Sequence, residues 1–172
     1  MQFLKNTPAS TLYWIQPRWV KSEYELRSDE ELYCKLKWAK ISLTPASVVS
    51  ADGQWTLIAD YWRRTVRIES SDGDAIAICT IGRFGYKVIV EFSNGRRLRF
   101  DMNGWRSEYA FHDEDTDDLL SFKVISIFWP LKLKVRVNLA QGVKDKPEAP
   151  LLAALGLYLL TYNLQFHNSI LG

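Results

Sequence analysis

Residues 146–172 read KPEAPLLAALGLYLLTYNLQFHNSILG, and the place given to this stretch decides the fold. Six leucines fall between Leu151 and Leu160, whereas the chain before it alternates apolar with polar residues. Such a segment can be a membrane anchor, a partner-binding helix or the middle of the fold. A spanning helix needs about 20 predominantly apolar residues. The clean apolar run at 149–160 is twelve residues, and beyond it Thr161, Asn163, Gln165 and His167 break the pattern. A run of that length belongs with buried core helices. A surface amphipathic helix fits no better. Leu151, Leu155, Leu159 and Tyr162 form one stripe, but Leu152, Leu157, Leu160 and Leu164 cover other sides. A helix that is apolar all round is a buried one. Proline and an acid are both favoured in a first turn, so Pro147, Glu148 and Pro150 predict a helix over about 148–166.

Everything upstream reads as strands. Asp52-Gly53, Asp72-Gly73, Asn94-Gly95 and Asn103-Gly104 lie between apolar or β-branched runs, and such dipeptides supply the positive φ angles of two-residue hairpins. A continuous antiparallel meander is expected there, with further turns at SDEE (28–31) and in the acidic loop at 113–118. In RRLRFDM (96–102), alternation sends Leu98 and Phe100 inward and Arg97 and Arg99 outward. In LKLKVRV (131–137), Leu131, Leu133, Val135 and Val137 share one face and Lys132, Lys134 and Arg136 the other. LYWIQPRWV (12–20), YELR (24–27), LYCKLKW (32–38), ASVVS (46–50), WTLIAD (55–60), TVRIE (65–69), AIAICTI (75–81), YKVIVEF (86–92), WRSEYAF (105–111) and LLSFKVIS (119–126) complete about twelve strands.

Eight strands make a barrel whose side chains just fill it, and diameter grows with strand number. About twelve therefore leave a central space, which a helix about 10–12 Å across can occupy. Ala153, Ala154 and Gly156 suit close approach to large inward residues. Burying six leucines contributes roughly 9–18 kcal/mol as an upper bound. The expected architecture is one mainly β domain spanning 1–172: a closed antiparallel barrel of about twelve strands, at about 12–138, around a hydrophobic C-terminal helix. On strand order, on SADGQWTL and FSNGRRLRF, and on APLLAALGLYLL at the central-helix position, the chain resembles the tubby C-terminal-like superfamily. That group includes phospholipid scramblases and LURP-one-related proteins, and the likeness is greatest to small bacterial members. The resemblance implies a non-enzymatic barrel that takes an anionic phospholipid headgroup through basic side chains on its exterior.

Length and composition agree with one globular domain: 172 residues, 47% apolar and 24% charged. The net charge of +2 conceals five acids in residues 112–118, leaving 22 basic against 15 acidic residues elsewhere. A basic surface permits anionic partners without demanding them. Cys34 and Cys79, the only cysteines, are expected as buried free thiols, although one disulfide remains open. The first residues lack the apolar core of a signal peptide, so the protein is expected in the cytoplasm, or peripherally at a membrane.

No catalytic residues, metal ligands or cofactors are assigned. HDEDTDD (112–118) lacks the glycine and ordered spacing of an EF-hand loop, and reads as a solvated hairpin end. His112 and Asp113 lie beside no recognisable nucleophile. The anionic-ligand candidates are three basic groups: Arg63, Arg64 and Arg67; Arg97 and Arg99, preceded by Arg96; and Lys132, Lys134 and Arg136. Like charges on one strand face repel unless neighbours or an anion compensate; the bland alternative is edge protection and solubility. YWRRTVR interleaves aromatics with arginines as nucleic-acid platforms do, but nucleic acid is not the expected partner. Phospholipid or a protein is. Two other functions stay open: a carrier of small apolar ligands whose helix is a lid, and a membrane-associated scramblase-like protein. The oligomeric state is left open.

Overall fold

The computed structural model describes residues 1–8, 10–17, 22–29, 31–39, 45–83, 86–103, 108–113, 118–128 and 132–170, without the side chains of 103, 118, 126–128, 132 and 163–170. Its strands are β1 (Thr11–Ile15), β2 (Glu23–Arg27), β3 (Leu32–Trp38), β4 (Ala46–Ser50), β5 (Gln54–Asp60), β6 (Thr65–Ser70), β7 (Ala75–Ile81), β8 (Lys87–Phe92), β9 (Arg97–Asn103), β10 (Glu108–Asp113), β11 (Asp118–Phe128) and β12 (Lys132–Leu139). Each pairs antiparallel with its chain neighbours. β1 closes the ring on β12, in the register Thr11↔Asn138 to Trp14↔Val135. Closure leaves no free edge, so edge protection cannot be why the outer rows are basic. β1 stops at Ile15, short of the expected residue 20. The proposed turn at 103–104 and the start of the strand expected at 105 fall partly or wholly outside the described residues.

Alternation sorts the side chains. Leu12, Trp14, Val66, Ile68, Val88, Val90, Leu98, Phe100, Val135 and Val137 are buried. Arg67, Ile89, Arg97, Arg99, Lys134 and Arg136, which lie between them in sequence, are exposed. Helix α1 (Ala149–Ile170) extends beyond the expected residue 166, and its residues 149–162 are buried on every side. It touches β3 and β4 on one wall and β10 and β11 on the opposite one. α1 therefore stands in the lumen, as the twelve-strand circumference required. The Trp14 indole donates to the Ala153 carbonyl at 3.1 Å. Gly156 lies against Phe122, where a Cβ would fall on the ring. Phe122 packs in turn with Phe100 and Phe111, at centroid distances of 5.9 and 6.1 Å.

The hairpin turns correct one expectation. Gly73 and Gly95 have φ of +87° and +85°, but Asp72 and Asn94 do not share the left-handed conformation. Two-residue hairpins with both central residues at positive φ are therefore not formed at these two turns. Instead the Gly73 N–H bonds the Ser70 carbonyl at 3.1 Å, and the Gly95 N–H bonds the Phe92 carbonyl at 2.9 Å. Ser70 and Phe92 then donate to the Asp74 and Arg96 carbonyls, each at 2.9 Å. This is the three-residue loop with a glycine bulge. Gly53 is not left-handed either. There the Ser50 hydroxyl accepts from the Asp52 and Gly53 N–H groups at 3.0 and 3.2 Å, so a side chain closes the turn.

Two short segments meet at the end where α1 enters. Short 3-10 turns at Leu4–Asn6 and Val143–Asp145 bury Leu4 and Val143. The Lys144 ammonium donates to the Thr7 carbonyl at 3.2 Å. The Tyr33 hydroxyl lies 2.5 Å from the Glu31 carboxylate and 2.9 Å from the Thr7 hydroxyl. Beside the helix start, Arg96 grips Asp113 at 2.6 Å and the Glu148 carboxylate through its other terminal nitrogen.

Candidate functional site

Strand geometry places the basic residues on the outer wall and register decides which are neutralised. Arg67 meets Glu69 at 2.9 Å, and Arg99 meets Asp101 at 2.8 Å. Each pair stands two residues apart on one strand, hence on one face. Arg97 pairs with Glu91 on the neighbouring strand. Lys35, on β3, bonds Glu25 and Glu23 at 3.0 and 3.2 Å, and these bonds raise its pKa. Arg96 is held between Asp113 and Glu148; burial alone would lower its pKa, but the two carboxylates raise it. It is a clasp on the helix entry rather than part of a binding row.

The β12 row differs. Among the described residues neither Lys134 nor Arg136 has a carboxylate within ion-pair distance. The Lys134 ammonium rests 4.7 Å from the Tyr13 ring centroid. Arg136 lies between Tyr13 of β1 and Lys123 of β11, and Lys123 is itself bound to Glu108 at 3.0 Å. Lys132 begins the strand, and its side chain is outside the described residues.

Arg63, Arg64 and Arg67 engage three different partners, Asp60, the Arg83 carbonyl and Glu69. Arg67 is on the wall, while Arg63 and Arg64 belong to the β5–β6 turn at the end opposite the helix entry. There the Asp60 carboxylate accepts from the Trp62 and Arg63 N–H groups, both at 3.1 Å. Arg64 takes a left-handed φ of +54°, a conformation disfavoured for a residue with a Cβ. Its guanidinium donates to the Arg83 carbonyl at 2.9 Å, and its own carbonyl accepts from Ile81. Tyr61 stacks on Tyr162 of α1 at 5.6 Å. Trp62 is 98% exposed, so it is no core residue. The Asp-Tyr-Trp-Arg-Arg order hints at an Asx-type turn carrying an aromatic, but does not show which way the indole points.

Cys34 and Cys79 are free and fully buried, and burial pushes both thiols far up. His112 approaches Asp101 at 3.5 Å while Asp113 turns to Arg96, so the two side chains engage different partners. Among the described residues no three His, Cys, Asp or Glu side chains come together to hold a metal ion. Residues 114–117 of the acidic loop lie outside the described set. No helix among the described residues is long and apolar enough to cross a membrane. No protein-family model, no curated protein and no solved structure matches the chain.

Proposed function

We propose that this chain is a non-enzymatic, tubby-like binding barrel that takes an anionic phospholipid headgroup on its outer wall, at Lys134 and Arg136 of β12. One observation carries the reading. Arg67, Arg97 and Arg99 have carboxylate partners on the wall, whereas Lys134 and Arg136 have none among the described residues. Unneutralised cations in a row are what a phosphate group complements. Tyr13 beside both adds an amphipathic flank. α1 fills the lumen, which favours the wall over an interior cavity and weighs against a carrier of small apolar ligands.

Co-sedimentation with phosphatidylcholine vesicles, with and without phosphatidylserine or a phosphoinositide, tests this. Binding should need the anionic lipid and weaken with salt. Lys134→Glu with Arg136→Glu should lower partitioning roughly ten-fold or more. Binding that ignores both salt and the double reversal rejects the reading.

A further inference from the structure

Resting on the headgroup reading, we infer that the barrel meets the membrane end-on, with Trp62 and its arginine-bearing turn entering the interfacial layer of an anionic bilayer. The two ends of the barrel differ in charge. Among the described residues the turns at the helix-entry end carry Asp29, Glu31, Asp52, Asp72, Asp74, Asp145 and Glu148, against Lys5, Arg96, Lys144 and Lys146. Among the described residues the turns of the opposite end present Arg63, Arg64 and Arg83, of which Arg63 pairs with Asp60 at 3.7 Å; the charged residues with described side chains that start strands there are Lys87, Glu23 and Glu108. An anionic surface attracts the second end and repels the first.

Among the described residues three of the four exposed aromatics lie at that same end, the fourth being Phe3 near the helix entry. Trp62 is 98%, Tyr86 55% and Tyr61 39% exposed. A single exposed apolar residue needs no explanation. A tryptophan almost wholly in water, flanked by tyrosines and cations, has the composition of a membrane-interface anchor. The turn is also set in advance. Asp60 fixes the Trp62 and Arg63 N–H groups, Tyr61 is stacked on Tyr162, and Arg64 bridges to the β7–β8 connection. Little ordering is left for the moment of binding, which favours affinity.

Site-directed labelling separates this inference from the headgroup reading. Both native thiols are buried, so Trp62→Cys introduces an exposed site for an environment-sensitive nitrobenzoxadiazole label. Asp72→Cys at the acidic end is the control, and labelled wild type checks that Cys34 and Cys79 stay unreactive. With phosphatidylserine-containing vesicles the label at 62 should shift blue and be quenched by brominated lipid, while that at 72 stays in water. Trp62→Ala should lower partitioning roughly ten-fold or more, and Arg63→Ala or Arg83→Ala roughly five-fold, with thermal unfolding unchanged. If the protein sediments but the label at 62 remains in water, end-on insertion is overturned and the headgroup reading stands. If it sediments with no vesicle, both fall. If the label is dehydrated without lipid in a concentration-dependent way, a second copy covers Trp62 and the inference is overturned.

Discussion

Cys34 and Cys79 point inward from β3 and β7 and are fully shielded from water. Burial raises both thiol pKa values in the folded state, while the unfolded chain ionises near the ordinary value of about 8.5. The unfolded state therefore releases protons first as pH rises. The stability these thiols confer is complete below about pH 8.5 and is lost above it. Denaturant unfolding should show a loss of roughly 1.5–2.5 kcal/mol between pH 8 and 9.5 for the pair. Cys34→Ala with Cys79→Ala should lower stability at neutral pH yet flatten this slope; an unchanged slope would point to other groups. Both positions were legible as inward from alternation alone. The ion pairs were legible unevenly. Arg67 with Glu69 and Arg99 with Asp101 are spaced two apart on one strand, so pattern could have found them. Arg97 with Glu91 depends on the β8–β9 register, and Arg96 with Glu148 on a contact 52 residues apart.

Among the elements, α1 is buried on every side over residues 149–162. Its clearance is set by Gly156, which lets the helix lie on Phe122. Gly156→Ala raises helix propensity but drives a methyl group into a ring buried among Phe100 and Phe111. Overpacking of that kind costs about 1–3 kcal/mol. Adding Phe122→Leu should recover part of that loss, and a double-mutant cycle by urea unfolding measures the coupling; additive effects would show that the two residues do not share the space. The strands behaved differently, since apolar runs and their alternation gave most of the bounds to within two residues, β1 and β10 excepted. Their turns did not follow from the dipeptides alone. The same Xaa-Gly sequence closes by a glycine bulge at 72–73 and 94–95 and by the Ser50 hydroxyl at 52–53.

For the whole molecule, the ring and the helix share one core. Closure joins residues 11 and 138, and the lumen is filled only by residues later in the chain. A chain ending at residue 147 would keep every strand and lose the core they face. It should show neither dispersed amide resonances nor a cooperative thermal transition; a well-folded truncated barrel would sink the claim that α1 completes the core. Strand content, the inward and outward faces, and the burial of the last helix were all readable from the order of residues. They rest on periodicity and on the ratio of apolar run length to bilayer thickness, which are local quantities. The folded barrel was needed to show which cations are neutralised, that Arg96 clasps the helix entry, and that Trp62 stands in water beside arginines at one end. Those depend on register and on which turns share an end of the barrel, and distances across a closed ring are not written in neighbouring residues.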